Sequence, residues 1–148
     1  MQKRFLIAID GSPGAQEALR RGIALAREAD AAVILAYVRH TPPAVLGAPF
    51  YQSALTKELG VGRAVLTAAS REASAAGLEV ETEILEGRPA ERILDLSRSR
   101  DADLIIVGSR GRGAMTGALL GSVSESIVHR GDRPVLVVKP RAPIARAA

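Results

Sequence analysis

The sequence predicts a doubly wound α/β fold, in which a parallel sheet carries helices on both faces. Three observations predict it. Strand-length apolar runs alternate with amphipathic helical stretches along the chain, the pattern of successive βαβ units. The runs at 5–9, 33–38 and 104–107 are apolar without a break, as strands buried on both faces require. The run at 78–85 instead sets Leu78, Val80, Thr82 and Ile84 against Glu79, Glu81 and Glu83, which marks a sheet edge with one wet, charged face.

The elements follow in order. After the first strand, Ala15, Leu19, Gly22, Ile23 and Ala26 keep helical spacing, with Ser12 and Pro13 placed to open that helix. A long irregular stretch is expected from His40 to Gln52, where Pro42, Pro43, Gly47 and Pro49 cluster; it reads as a mobile loop or a lid. A second stripe, Leu55, Leu59, Gly62, Leu66, Ala69 and Ala73, has its first turns weakened by Gly60 and Gly62. A third helix opens at Pro89 and buries Ile93 and Leu96. A fourth runs from about Ser122 to Arg130 and stops at Gly131, ahead of an apolar last strand at 134–138. The domain is expected to occupy 1–139, and residues 140–148 to form a frayed tail.

Composition narrows the function. A chain of 148 residues with 47% hydrophobic content can bury a full core. It has no cysteine, which removes disulfides, thiolate zinc sites and thiol catalysis. No apolar run approaches the roughly 18 residues of a membrane span, and no signal-peptide pattern follows Met1, so a cytoplasmic protein without a membrane partner is expected. The net charge is +4, yet the arginines are scattered among acids and aromatics make up only 3%, so nucleic-acid binding is not expected.

In open parallel sheets ligands bind beyond the carboxyl ends of the strands, where the chain order reverses. Two segments there carry unusual chemistry. Asp10-Gly11-Ser12-Pro13 follows the first strand, and Gly108-Ser109-Arg110-Gly111 follows the fourth, continuing to Gly121-Ser122-Val123-Ser124. Glycines let backbone N–H groups approach an anion closely, and a helix starting at Gly121-Ser122 adds its own free N–H groups. Ser122 and Ser124 add hydroxyls, and Arg110 and Arg112 add charge, so the segment 108–124 reads as a polyphosphate cradle. Ser122-Val123-Ser124-Glu125 reads equally as a capping box, a purely structural helix start. Asp10 can accept both hydroxyls of a ribose; its alternative duty, capping the next helix, falls to Ser12. Asp101 and Asp103 lie at the wrong end of the sheet for the cleft, and His129 suits the last turn of its helix. No G-x-x-x-x-G-K-[ST] or G-x-G-x-x-G spacing occurs.

With these motifs placed, residues 3–139 resemble the universal stress protein family. The resemblance rests on Ile7-Ala8-Ile9-Asp10-Gly11-Ser12, Val107-Gly108-Ser109-Arg110-Gly111, Gly121-Ser122-Val123-Ser124 and Pro134-Val135-Leu136-Val137-Val138. Gly108, Gly111, Gly121 and Ser122 match the G-x2-G-x9-G-[ST] pattern of that family's ATP-binding branch. The resemblance implies a single five-stranded, Rossmann-like parallel sheet in order 3-2-1-4-5 and a homodimer. It implies ATP, with or without Mg2+, held by Ile9, Asp10, Ser12, Val38, Val107, Gly108, Arg110, Gly111, Gly121, Ser122, Val123 and Ser124. Within that set, Asp10 serves the ribose, Val38 and its neighbours the adenine, and the segment 108–124 the phosphates.

The expected function is that of an ATP-binding, nucleotide-responsive stress protein acting through an unidentified protein partner. The alternatives are a slow ATPase or related nucleotide hydrolase, and an adaptor for another adenine nucleotide. No general base, nucleophile or metal cluster stands out at the strand ends, so no catalytic residue is assigned. The apolar strand 134–138 is a second sheet edge without a gatekeeping charge, and a symmetric dimer would cover it.

Overall fold

The computed structural model describes residues 1–111 and 120–140. Its elements run β1 (Arg4–Ala8), α1 (Pro13–Ala29), β2 (Ala32–Arg39), a short 3-10 turn η1 (Ala44–Leu46), α2 (Ala48–Ala75), β3 (Val80–Glu86), α3 (Pro89–Ser99), β4 (Leu104–Gly108), α4 (Ser122–Arg130) and β5 (Val135–Val138). The five strands form one parallel sheet in the order β3-β2-β1-β4-β5, as expected. Chain order reverses between β1 and β4, so their carboxyl ends flank the crevice of the fold.

The pleat of the central strands feeds two cores. Ile7, Val33, Leu35 and Tyr37 face α1 and α2 with Leu19, Ile23 and Leu66. Leu6, Ile34, Val38 and Ile105 face the other way, with Ile93 and Leu94 of α3 and Ile127 of α4. Each such side chain contributes roughly 1.5–3 kcal/mol by leaving water, which is why uninterrupted apolar strands take the centre. At the β3 edge, Val80 and Ile84 turn inward while Arg100 bridges Glu81 and Glu83 on the opposite face.

Two boundaries differ from the sequence reading. The stretch from His40 to Gln52 is not irregular throughout, because α2 begins at Ala48 and runs 28 residues. Gly47 turns the chain at φ 75°, Tyr51 N–H donates to its carbonyl at 2.9 Å, and Pro49 sits in the first turn, where a missing N–H costs nothing. Strand β3 starts at Val80 rather than Leu78, because the Leu78 N–H still donates to Ala73 at the end of α2. The helical stripe of α2 buries Gly62, Leu66, Ala69 and Ala73, with Gly62 against the Tyr37 ring. Beyond the backbone of its own helix, Gly60 has no neighbour within 4 Å of where a side chain would begin, so packing does not require it. A glycine inside a helix costs about 1 kcal/mol relative to alanine, and here no contact offsets that. The expected tail beyond Pro140 lies outside the described residues.

Candidate functional site

The crevice is built by two chain segments that lock into each other. After β1, the Ser12 side chain accepts from Ala15 N–H at 3.2 Å and caps α1, with Pro13 in the first turn. A cap of this kind is worth about 1 kcal/mol. Asp10 is not a spare carboxylate, since its Oδ1 accepts the Ser12 N–H at 2.9 Å. Ser12 thus caps α1 as expected, and Asp10 braces the turn that leads into it. The other oxygen, Oδ2, would lie 2.6 Å from a Cβ placed on Gly111, so the carboxylate lies against the glycine segment rather than remote from it.

After β4, the backbone passes over the first turn of α1 at van der Waals distance. A Cβ on Gly108 would meet the Gly14 carbonyl group at 2.8 Å, and one on Gly14 would meet the Arg110 carbonyl oxygen at 2.3 Å. Only glycine fits at either position. The chain re-enters at Gly121, whose N–H donates to the Ser109 carbonyl at 2.6 Å. Ser109 is 2% exposed, and its own N–H donates to Val138 at the end of β5. The Ser124 hydroxyl, also buried, donates toward the Ser109 carbonyl at 3.2 Å and the Gly121 carbonyl at 3.0 Å. The Ser109 carbonyl therefore ties the end of β4 to the start of α4.

The capping-box reading of Ser122 and Glu125 is corrected. Gly121 is the N-cap, in extended conformation with φ −71° and ψ 163°, and it offers no side-chain cap to α4. Glu125 N–H makes the first helical bond, to the Gly121 carbonyl at 2.9 Å, which puts Ser124 and not Glu125 at the capping-box position. Glu125 is instead well exposed, 3.9 Å from the His129 ring one turn on. Gly121 has no side chain to cover the first N–H groups of α4, and a helix start of this kind favours an anion.

Ile9 extends the β1 ladder by donating to the Ala36 carbonyl, and Val38 and Val107 are buried near the carboxyl ends of β2 and β4. Arg110 is exposed beside Gly111. Arg112 lies outside the described residues, as does most of the spacer before Gly121. Asp103 and Asp101 are structural: the first accepts the Arg4 N–H at 2.8 Å, the second pairs with Arg133 at 3.0 Å. Ser122 and Val123 also border a cleft of about 270 Å³ between the first turns of α3 and α4, with Arg88 and Pro89 on its far side. A second concavity, along α3, is lined by the paired charges Arg92, Asp95 and Arg98 and is a solvated surface. Among the described residues, no three acidic or His side chains are grouped to hold a metal ion.

The profile of the universal stress protein family matches residues 1–139. The chain belongs to the universal stress protein family. The universal stress protein MJ0531 of Methanocaldococcus jannaschii is 37% identical over 142 residues, covering 94% of this chain and 83% of the relative. Among solved structures, that of MJ0577 superposes with a TM-score of 0.86 at 29% identity, covering 96% of this chain and 99% of that one. A universal stress protein in complex with cAMP superposes with a TM-score of 0.73 at 27% identity, over 92% of this chain and 96% of the other.

Two residues of this universal stress protein site escaped the sequence reading. Gly14 is placed inside a helix pattern, where its neighbour across the crevice, the Arg110 carbonyl, is invisible without the tertiary fold. Ser109 sits inside a recognised motif, but its function is carried by a carbonyl oxygen, a group every residue has.

Proposed function

We propose that this universal stress protein binds ATP at the carboxyl edge of β1 and β4 and works as a nucleotide-responsive regulatory protein in the cytoplasm. The carrying observation is the lock of Gly108, Gly111 and Gly121 around Ser109, which brings the glycine-capped start of α4 and the Asp10 carboxylate to one crevice. Backbone N–H groups of α4, the Ser122 hydroxyl and the Arg110 charge suit the phosphates. Asp10 suits the ribose hydroxyls, and Ile9, Val38 and Val107 line the apolar side for the base. Ser124 acts chiefly by bracing the cradle, since its hydroxyl hydrogen is directed at backbone carbonyls. A magnesium ion would arrive on the phosphates. The related structure holding cAMP supports an adenine nucleotide as the ligand class.

Hydrolysis is the second reading, and one observation favours testing it. Glu125 is not consumed by a cap and lies one turn into α4. The proposed function is nonetheless binding, because efficient turnover needs a positioned water and usually a carboxylate-held metal ion. Phosphate release from pure protein is expected to stay far below the ~10 per second typical of enzymes. Melting temperature is expected to rise in ATP, as ligand at a hundredfold over Kd adds about 2.7 kcal/mol. Release near one per second, abolished by Glu125→Gln, would make the protein an ATPase.

A homodimer through β5 belongs to the same proposal. Among the described residues β5 pairs on one side only, and Val135, Leu136 and Val137 stay half-buried. Sedimentation at tens of micromolar is expected to give a dimer, and Val137→Lys a monomer or an aggregate. A wild-type monomer would contradict the proposed interface.

A further inference from the structure

Three independent features of the segment after β2 bear on one motion. The first is length. Helix α2 joins parallel strands β2 and β3, so it runs antiparallel to them, and Gly62 lies over Tyr37 near the end of β2. Glu58 lies one turn before Gly62 and Arg39, the last residue of β2, two residues beyond Tyr37, so the same register directs Glu58 toward Arg39. Residues 48–57 therefore project about 15 Å past the carboxyl edge of the sheet, and none of them is buried. Lower down, Val65 touches the turn after β1, with its Cγ2 3.2 Å from a Cβ placed on Gly11, so this helix flanks the crevice.

The second feature is surface chemistry. The projecting part and the turn before it expose Val45 at 93%, Phe50 at 70% and Leu46 at 41%. Apolar groups of that size at a helix start cost solvation and gain nothing where they stand.

The third is the root of the projection. Arg39 Nη1 and Glu58 Oε2 are both buried without a hydrogen-bond partner, a donor and an acceptor on facing elements. The other arm of Arg39 holds Glu86 at 2.5 Å, and Glu86 accepts from the Thr41 hydroxyl at 2.8 Å, which pins the chain where it leaves β2. Gly60 follows Glu58 at the point where the helix meets the sheet, and no packing contact calls for a glycine there.

We propose that residues 44–59 form a lid, pinned at Thr41 and hinged at Gly60, that closes over the base of the bound nucleotide and brings Glu58 to Arg39. The proposal rests on the nucleotide reading above and adds what covers the base. The lid gives Val45, Leu46 and Phe50 an apolar surface to bury, and closure supplies each orphaned atom of Arg39 and Glu58 with its complement.

The chain has no tryptophan, so Phe50→Trp places a single reporter on the lid. ATP binding to this variant is followed by calorimetry, and acrylamide quenching is read on the same sample. Closure predicts a blue-shifted emission and at least a twofold fall in quenching with ATP, and no change with inorganic tripolyphosphate, which has no base. Gly60→Ala is expected to raise the melting temperature of the free protein and speed ATP dissociation several-fold. Calorimetric binding of ATP with unchanged quenching would overturn the lid while leaving the nucleotide site standing, as would an equal response to tripolyphosphate. Unaltered dissociation from a stabilised Gly60→Ala would remove the hinge. An absence of ATP binding by wild-type protein would instead overturn the nucleotide reading and the lid's trigger with it.

Discussion

Gly14→Ala is expected to lower the melting temperature by about 10 °C and to weaken ATP at least tenfold. The added methyl would start 2.3 Å from the Arg110 carbonyl oxygen, and that neighbour is backbone, not a side chain that can rotate away. Overpacking typically costs 1–3 kcal/mol, and a backbone neighbour puts this substitution at about 3 kcal/mol. Each kcal/mol moves the melting point of a domain near this size by roughly 2–4 °C. Relief requires the strand-to-loop exit at 108–111 to shift by about 1 Å, enough to break hydrogen bonds aimed at a ligand. Gly108→Ala presses on the same contact from the other side, 2.8 Å from the Gly14 carbonyl group, and is expected to behave alike. Calorimetric melting and ATP titration check both. A Gly14→Ala protein with unchanged melting and affinity would mean that the two segments do not interlock.

Asp10→Ala is expected to weaken ATP by about 1–3 kcal/mol, the scale of a lost charged hydrogen bond. The same change should weaken 2′,3′-dideoxy-ATP much less, since that ligand offers no hydroxyl to the carboxylate. The double comparison is needed because Asp10 also holds the Ser12 N–H, so part of any loss arises from the turn itself. Asp10→Asn retains an acceptor for Ser12 and isolates the charge. Equal losses for ATP and its dideoxy form would show that Asp10 acts on the loop and never reaches the sugar.

The sheet was legible because its signal is local. Continuous apolar runs at β1, β2 and β4 admit few other fates, and the alternating acids of β3 mark an edge whichever way the strands are ordered. The strand order itself came from the family resemblance, since no periodicity encodes which strands are neighbours. The start of α2 was misread because three prolines and a glycine suggest a loop, although Pro49 in a first turn is a helix opener. Gly121 was passed over as N-cap for Ser122 because serine is the stronger capping residue. The fold overrides that preference by drawing the Gly121 N–H onto Ser109. The motif glycines could be located in the sequence, but their partner Gly14 could not. Its role depends on α1 lying beneath the exit of β4, a contact between residues some ninety apart.

Calorimetric titration of ATP into wild-type and Gly121→Val protein decides whether the crevice over β1 and β4 is a nucleotide site. A Cβ on Gly121 would lie 3.3 Å from the Ser109 carbonyl oxygen, a tight but tolerable approach, and φ −71° admits any residue. Valine there leaves α4 able to form while its branches crowd the N–H groups that would receive phosphate. A nucleotide site there gives one saturable ATP site per wild-type chain and at least a tenfold loss of affinity in Gly121→Val, with circular dichroism unchanged. No saturable heat in the wild type, or equal affinity in a folded Gly121→Val, would contradict it.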